Sequence, residues 1–168
     1  QTITYNYSSP GNCSNSDVAT ITVNALPIVD AGTYTAACID AASIPLVGSP
    51  AGGVFSGTGV TGNNFSPAQG TQTVTYTYTD GNGCTGTDNQ LINIFNLPTI
   101  NAGSDIIICE GQSVTLSGTG GTTYSWTNGV INNQSFTPAT VGSVVYTVTG
   151  TDANGCVNTD MVTVGVVE

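Results

Sequence analysis

Tyr76-Thr77-Tyr78-Thr79-Asp80-Gly81-Asn82-Gly83-Cys84 alternates aromatic and hydroxyl side chains, then breaks into a glycine-rich turn that ends in a cysteine. The design recurs on both sides. Gln1-Thr2-Ile3-Thr4-Tyr5-Asn6-Tyr7 leads to Gly11-Asn12-Cys13, and Val144-Val145-Tyr146-Thr147-Val148 leads to Thr151-Asp152-Ala153-Asn154-Gly155-Cys156. In the middle copy Val74, Tyr76 and Tyr78 fall on one face, and Thr73, Thr75, Thr77 and Thr79 on the other. That period of two marks a half-buried antiparallel strand. Each copy is followed by a second alternating run, so each reads as a hairpin.

The repetition extends well beyond the hairpins. Leu26-Pro27-Ile28-Val29-Asp30-Ala31-Gly32 matches Leu97-Pro98-Thr99-Ile100-Asn101-Ala102-Gly103, with a period of 71. Cys38 and Cys109 keep that spacing, as do Cys13 and Cys84, while Cys84 and Cys156 are 72 apart. Leu46-Val47-Gly48 matches Leu116-Ser117-Gly118, and Phe65-Ser66-Pro67-Ala68 matches Phe136-Thr137-Pro138-Ala139. A fixed period of this size signals a tandem array. Residues 27–97 and 98–168 read as two full repeats, and residues 1–26 as the last hairpin of a preceding one.

Within a repeat the strands are short and bounded by turn residues. Strands are expected over 43–47, 54–56, 72–80 and 88–95, and again over 112–117, 123–127, 143–151 and 160–167. Ile92 and Ile94, like Val164 and Val166, should share the core face. Pro45 cannot donate to a ladder, so its strand belongs at an edge. No helical period is present. The expected fold is all-β, a tandem of small immunoglobulin-like β-sandwiches with one disulfide per repeat.

Composition excludes several functions. The 168 residues include ten carboxylates and no Lys, Arg or His, for a net charge of −10. Nucleic-acid binding needs cations to neutralise phosphates, and attraction to anionic membranes needs them too. Without imidazole, amine or guanidinium there is no ordinary base, Schiff-base nucleophile or cationic clamp, so an enzyme is not expected. No run is long and apolar enough to span a membrane. Five cysteines in a chain rich in Thr, Asn and Gly point to an oxidising, extracellular setting. The chain reads as mature extracellular material or as a window cut from something longer.

Each full repeat holds one cysteine near its start and one in its last hairpin. The expected bridges are therefore Cys38–Cys84 and Cys109–Cys156, with Cys13 bonded to a partner in the preceding repeat. Free buried thiols or an intermolecular bridge are the alternatives. A sandwich this small buries about 60 % of its unfolded surface, so a staple is expected. Each bridge should contribute roughly 4 kcal/mol in the chain-entropy account. Residues 1–26 cannot stand alone as an isolated hairpin. They pair either within a longer array or with strands of another chain.

The run from Pro50-Ala51-Gly52-Gly53-Val54-Phe55-Ser56-Gly57-Thr58-Gly59 through Asn63-Asn64-Phe65-Ser66-Pro67, followed by Val74 to Cys84, resembles a known family. It is similar to the tandem immunoglobulin-like repeats of very large surface adhesins in gliding Bacteroidetes, exported by the type 9 secretion system. The runs Ala102-Gly103-Ser104-Asp105 to Cys109-Glu110-Gly111 and Thr151 to Cys156 look like a sister version of the same repeat. The resemblance covers essentially the whole chain. It implies a long extracellular, cell-surface filament or stalk used in adhesion or gliding, with neighbouring repeats as partners. The family's C-terminal secretion-signal domain has no counterpart here.

Few residues suggest chemistry. Asp80 and Asp88 flank one hairpin and Asp152 and Asp160 the next, and with Asn82 or Asn154 they offer oxygens to calcium. The first copy keeps only Asp17 and has Ser9 at the other position. The rival use is turn formation, which Asp and Asn serve through their own backbone. Asp30 near the repeat junction becomes Asn101, which weakens a calcium-stiffened linker. Trp126 falls near the place of Phe55 and Gly57 and is expected in the core rather than on a sugar-stacking surface. Asp40 and Glu110 lack matched partners for a glycosidase pair.

The leading functional expectation is a stiff, load-bearing spacer that needs no cofactor. With Cys38–Cys84 closed, a pulled-open repeat would extend only through 27–38 and 84–97, about 24 steps of roughly 3.5 Å. The alternatives are a module that binds surface glycans or a protein, and a filament subunit completed by strand donation.

Overall fold

The computed structural model describes residues 1–168. After an N-terminal hairpin of β1 (Thr2–Ser8) and β2 (Ser14–Thr20), the chain builds two β-sandwiches in succession. The first uses β3 (Ala37–Cys38), β4 (Ile44–Pro45), β5 (Val54–Ser56), β6 (Val60–Thr61), β7 (Asn64–Phe65), β8 (Gln72–Thr79), β9 (Thr85–Ile92) and β10 (Ile94–Phe95). Its larger sheet runs β5-β8-β9, and β9 continues past Asn93 into β10, which pairs in parallel with β3. The smaller sheet has the order β4-β7-β6, with Pro45 on an edge strand as its missing donor requires.

The second sandwich repeats this plan with β11 (Ile106–Cys109), β12 (Val114–Thr115), β13 (Thr123–Trp126), β14 (Ser135–Phe136), β15 (Gly142–Thr151) and β16 (Val157–Val167). The order β11-β16-β15-β13 faces the pair β12-β14, and β11 again runs parallel to the end of β16. The long strands follow the alternation of the sequence. The short parallel strands β3 and β11 were not expected from it, because two to four residues show no period.

Two separate hydrophobic clusters form the cores. Leu46 and Phe65 of one sheet meet Phe55, Val74, Tyr76, Ile92 and Ile94 of the other. In the second sandwich Val114 and Leu116 meet Trp126, Tyr146, Val148, Val162 and Val164. Burying a side chain such as Val74 or Ile92, both fully enclosed, contributes about 1.5–3 kcal/mol. On the outer face Thr75 bonds Asn89 at 2.7 Å and Thr79 bonds Thr85 at 2.9 Å, so the polar face adds cross-strand pairs of its own.

The repeats solve one packing problem in two ways. Phe55 sits opposite Tyr76, and Trp126 opposite Val148, so Trp126 is the counterpart of Phe55 rather than of Gly57. The larger ring faces the smaller neighbour. Trp126 lies in the core and donates its indole N–H to Asn132 Oδ1 at 3.0 Å. Tyr76 donates its hydroxyl to the Pro50 carbonyl at 2.6 Å and accepts the Gly53 N–H at 2.8 Å, which ties the incoming loop to the sheet. Tyr124 ties the loop of the second sandwich through both the N–H and the carbonyl of Gly121.

The N-terminal hairpin has the same register as β8–β9 but nothing packed on it. Ile3, Tyr5, Ile21 and Val23 are exposed, whereas residues 71 positions on, Val74, Tyr76, Ile92 and Ile94, are buried. Replacing Tyr76 with Phe should cost the first sandwich about 1–3 kcal/mol, by leaving the Gly53 donor and the Pro50 acceptor without their partner. Denaturant unfolding of Tyr76→Phe checks this, and an unchanged midpoint would contradict it.

Candidate functional site

The site that distinguishes this chain is built from the repeated turn and the short parallel strand. In the turn, Asp80 Oδ1 accepts the N–H groups of Asn82 at 2.9 Å and Cys84 at 2.8 Å, while the Asp80 N–H reaches the Cys84 carbonyl at 2.9 Å. Gly83 takes a φ of +83°, a region that costs glycine nothing. Asp152 repeats the arrangement with Asn154 at 2.8 Å and Cys156 at 2.9 Å, and Gly155 has a φ of +84°. In the first copy Asn12 takes the left-handed position at +60°, and Ser9 closes the same backbone bonds with Cys13 and Asn12. Each turn thus presents its cysteine in one fixed pose.

The short parallel strand decides which cysteines can meet. Cys38 lies opposite Phe95, at the far end of the last strand, while Cys84 sits just before that strand begins at Thr85. An extended run from 84 to 95 spans roughly 35 Å at about 3.3 Å per residue. The two cysteines of one repeat therefore occupy opposite poles of their sandwich. Cys109, opposite Val167, and Cys156, just before Val157, are separated in the same way. The expected Cys38–Cys84 and Cys109–Cys156 bridges are not formed.

The bond that is present joins Cys38 to Cys156, across a sequence separation of 118, with Cα atoms 5.6 Å apart. That spacing suits a disulfide. The end of the first sandwich, with Phe95 and Cys38, meets the beginning of the second, with Pro98, Asn158 and Cys156. Asn158 donates its side-chain amide to the Pro98 carbonyl at 3.0 Å beside the bond. Cys156 is fully enclosed. Cys13, Cys84 and Cys109 are free thiols.

The carboxylates singled out for calcium bond to backbone. Asp80 and Asp152 organise the turns. Asp88 Oδ2 accepts the Ala31 N–H at 2.8 Å, and Asp160 Oδ2 accepts the Ala102 N–H at 2.8 Å, which fastens the start of each repeat to its last strand. No three or more acidic, Cys or His side chains come together. Asp30 and Asn101 each accept the N–H two residues on at 2.7 Å, so one carbonyl-type oxygen suffices there and the Asp-to-Asn exchange is neutral.

No helix is long and apolar enough to cross a membrane. Two shallow depressions mark the surface. One of about 230 Å³ is lined by Asn128, Val130, Ile131, Gln134, Ser135 and Phe136. Another of about 300 Å³ lies over Leu46, Phe55 and Tyr76.

No family model matches the chain, and no curated protein does. Among solved structures it is similar to a Bacteroides ovatus protein, SGBP-B of the mixed-linkage glucan utilization locus, in complex with a mixed-linkage heptasaccharide. The identity is 17 %, the TM-score 0.31, and the match covers 86 % of this chain and 45 % of that one. The chain thus spans less than half the length of that structure, and a likeness at this score carries no functional argument.

Two outcomes follow from the Asp anchors. Asp88→Ala should destabilise the first sandwich by about 1–3 kcal/mol, because the N–H of buried Ala31 loses its acceptor. The hydrogen bonds from Ala102 and then Met161 hold the Asp160 carboxyl below its ordinary pKa. Its contribution is present above the unfolded-state value and disappears as pH falls through the lower folded value. Denaturation midpoints of the native chain and Asp160→Asn should therefore differ at pH 7, begin to approach each other only as pH falls below about 4, and meet below the lowered folded value. Parallel pH profiles would contradict this.

Proposed function

We propose that the chain is a segment of a load-bearing extracellular spacer built from tandem immunoglobulin-like repeats. The observation that carries this reading is the Cys38–Cys156 bond, which fastens one sandwich to the next beside their short Asn96-Leu97-Pro98 connection. A bond inside a repeat limits how far that repeat unravels. A bond between repeats also stops them from swinging apart. Tension entering before Cys38 and leaving after Cys156 passes through sulfur, so the intervening segment carries none of it. This replaces the clamp expected from intra-repeat bridges, in which about 24 residue steps per repeat stayed extensible.

The remaining features fit the same role. The uniform negative charge opposes lateral clumping of neighbouring filaments. The disulfide suits an oxidising compartment outside the cytoplasm. The resemblance to surface-adhesin repeats supports placement on the cell surface of a gliding bacterium, with export by type 9 secretion.

A second reading is a module that takes a surface glycan. Its support is the depression by Asn128, Gln134 and Ser135, whose polar side chains adjoin an exposed Ile131. Glycan-array binding that Gln134→Ala abolishes would favour it over a pure spacer.

Single-molecule pulling between the chain ends tests the spacer. The oxidised chain should release only its flanks. Reduction should add the contour length of the 118-residue segment, roughly 400 Å at about 3.5 Å per residue. Equal lengths in both states would refute the proposed load path.

A further inference from the structure

We infer that Cys84 and Cys109 are the open halves of two more inter-repeat bridges of the Cys38–Cys156 kind, so that each takes a further repeat as its partner. The first support is positional. Cys84 has the turn of Cys156, with the same two N–H groups bonded to its Asp. Cys109 has the place of Cys38, on a strand parallel to the end of the last strand. Carried forward, the observed pairing joins the start cysteine of any repeat to the turn cysteine of the next. Cys109 then faces the turn of a following repeat. Cys84 faces the start strand of the repeat whose final hairpin is residues 1–26, and Cys13 reaches one repeat further back.

Burial supplies a second, independent support. Where two sandwiches meet, Cys156 is fully enclosed and Pro98 is buried. Their counterparts at the start of the first sandwich, Cys84 and Pro27, are only half-buried. At the opposite pole Cys38 and Phe95 are half-buried, while their counterparts Cys109 and Val167 are exposed. Each uncovered position is one that an adjoining repeat covers in the single interface present. The unpacked hairpin agrees, because its exposed Ile3, Tyr5, Ile21 and Val23 need the front half of a repeat to enclose them.

The bonds form by ordinary oxidation: two thiols lose two electrons and two protons to a disulfide oxidant of the exporting compartment, which is reduced to its dithiol. Because each repeat offers one start cysteine and one turn cysteine, every junction of the array acquires one crosslink. The inference rests on the tandem-repeat reading but not on the load-bearing role, and mapping of bonds tests it without any measurement of force.

Non-reducing peptide mapping with a protease directed to aromatic or acidic residues decides the matter, since the chain has no Lys or Arg. In the 168-residue chain, alkylation under native conditions should modify Cys13, Cys84 and Cys109 and leave Cys38 joined to Cys156. In a chain extended after Glu168 by a second copy of residues 27–97, Cys109 should bond to the turn cysteine of the added repeat. Cys109→Ser in the extended chain should free that cysteine and leave Cys38–Cys156 in place. A Cys38–Cys84 or Cys109–Cys156 peptide in either chain would overturn the inference. So would an extended chain, with Cys38–Cys156 formed, in which Cys109 and the added cysteine both remain free.

Discussion

The parallel pairing of each repeat's first short strand with the end of its last strand is the constraint on which the arrangement depends. It brings Cys38 beside Phe95 and Cys109 beside Val167. The turn cysteines stand at the other end of those same last strands. A hydrogen-bonded strand is a stiff spacer of about 3.3 Å per residue, so no side-chain adjustment lets the cysteines of one repeat meet. Head-to-tail succession then brings the end of one sandwich to the beginning of the next. Sulfurs that cannot reach each other within a unit become neighbours across the junction.

The turns make this contact repeatable. A carboxylate that accepts two backbone N–H groups, followed by a residue with positive φ, leaves little freedom in where the cysteine points. Asp80 and Asp152 build that geometry with bonds equal to within 0.1 Å. Asp88 and Asp160 fix the beginning of each repeat against its last strand. The acidic residues that hinted at a cation site act as hydrogen-bond acceptors for their own backbone, which accounts for their recurrence at a fixed spacing.

Much of the architecture was legible in the residues. The alternation from Val74 to Tyr78 identified a strand and its inward face, and Pro45 located an edge. The period of 71 matched cysteine to cysteine across repeats. The cysteine pairing was not legible, for a physical reason. It depends on β3 and β11, which are too short to show a period and whose partners lie more than fifty residues away. Equal cysteine counts per repeat suggested bridges within each, yet the same count is satisfied by bridges between neighbours. The signal that could have separated the two is the parallel placement of an immunoglobulin-like first strand along the last one. Trp126 lies one full period of 71 after Phe55, so the spacing alone pairs it with Phe55 and not with Gly57.

The complete enclosure of Cys156 bears on the order of events during maturation. Along the chain Cys38 is followed by Cys84 and Cys109 before its partner appears, so an oxidant acting on thiols as they emerge would meet the wrong neighbours first. The folded sandwich prevents that error by holding Cys38 and Cys84 at opposite ends. The folded state therefore selects this pairing over those between cysteines nearer in sequence. The covalent bond marks that two successive units have both folded and met.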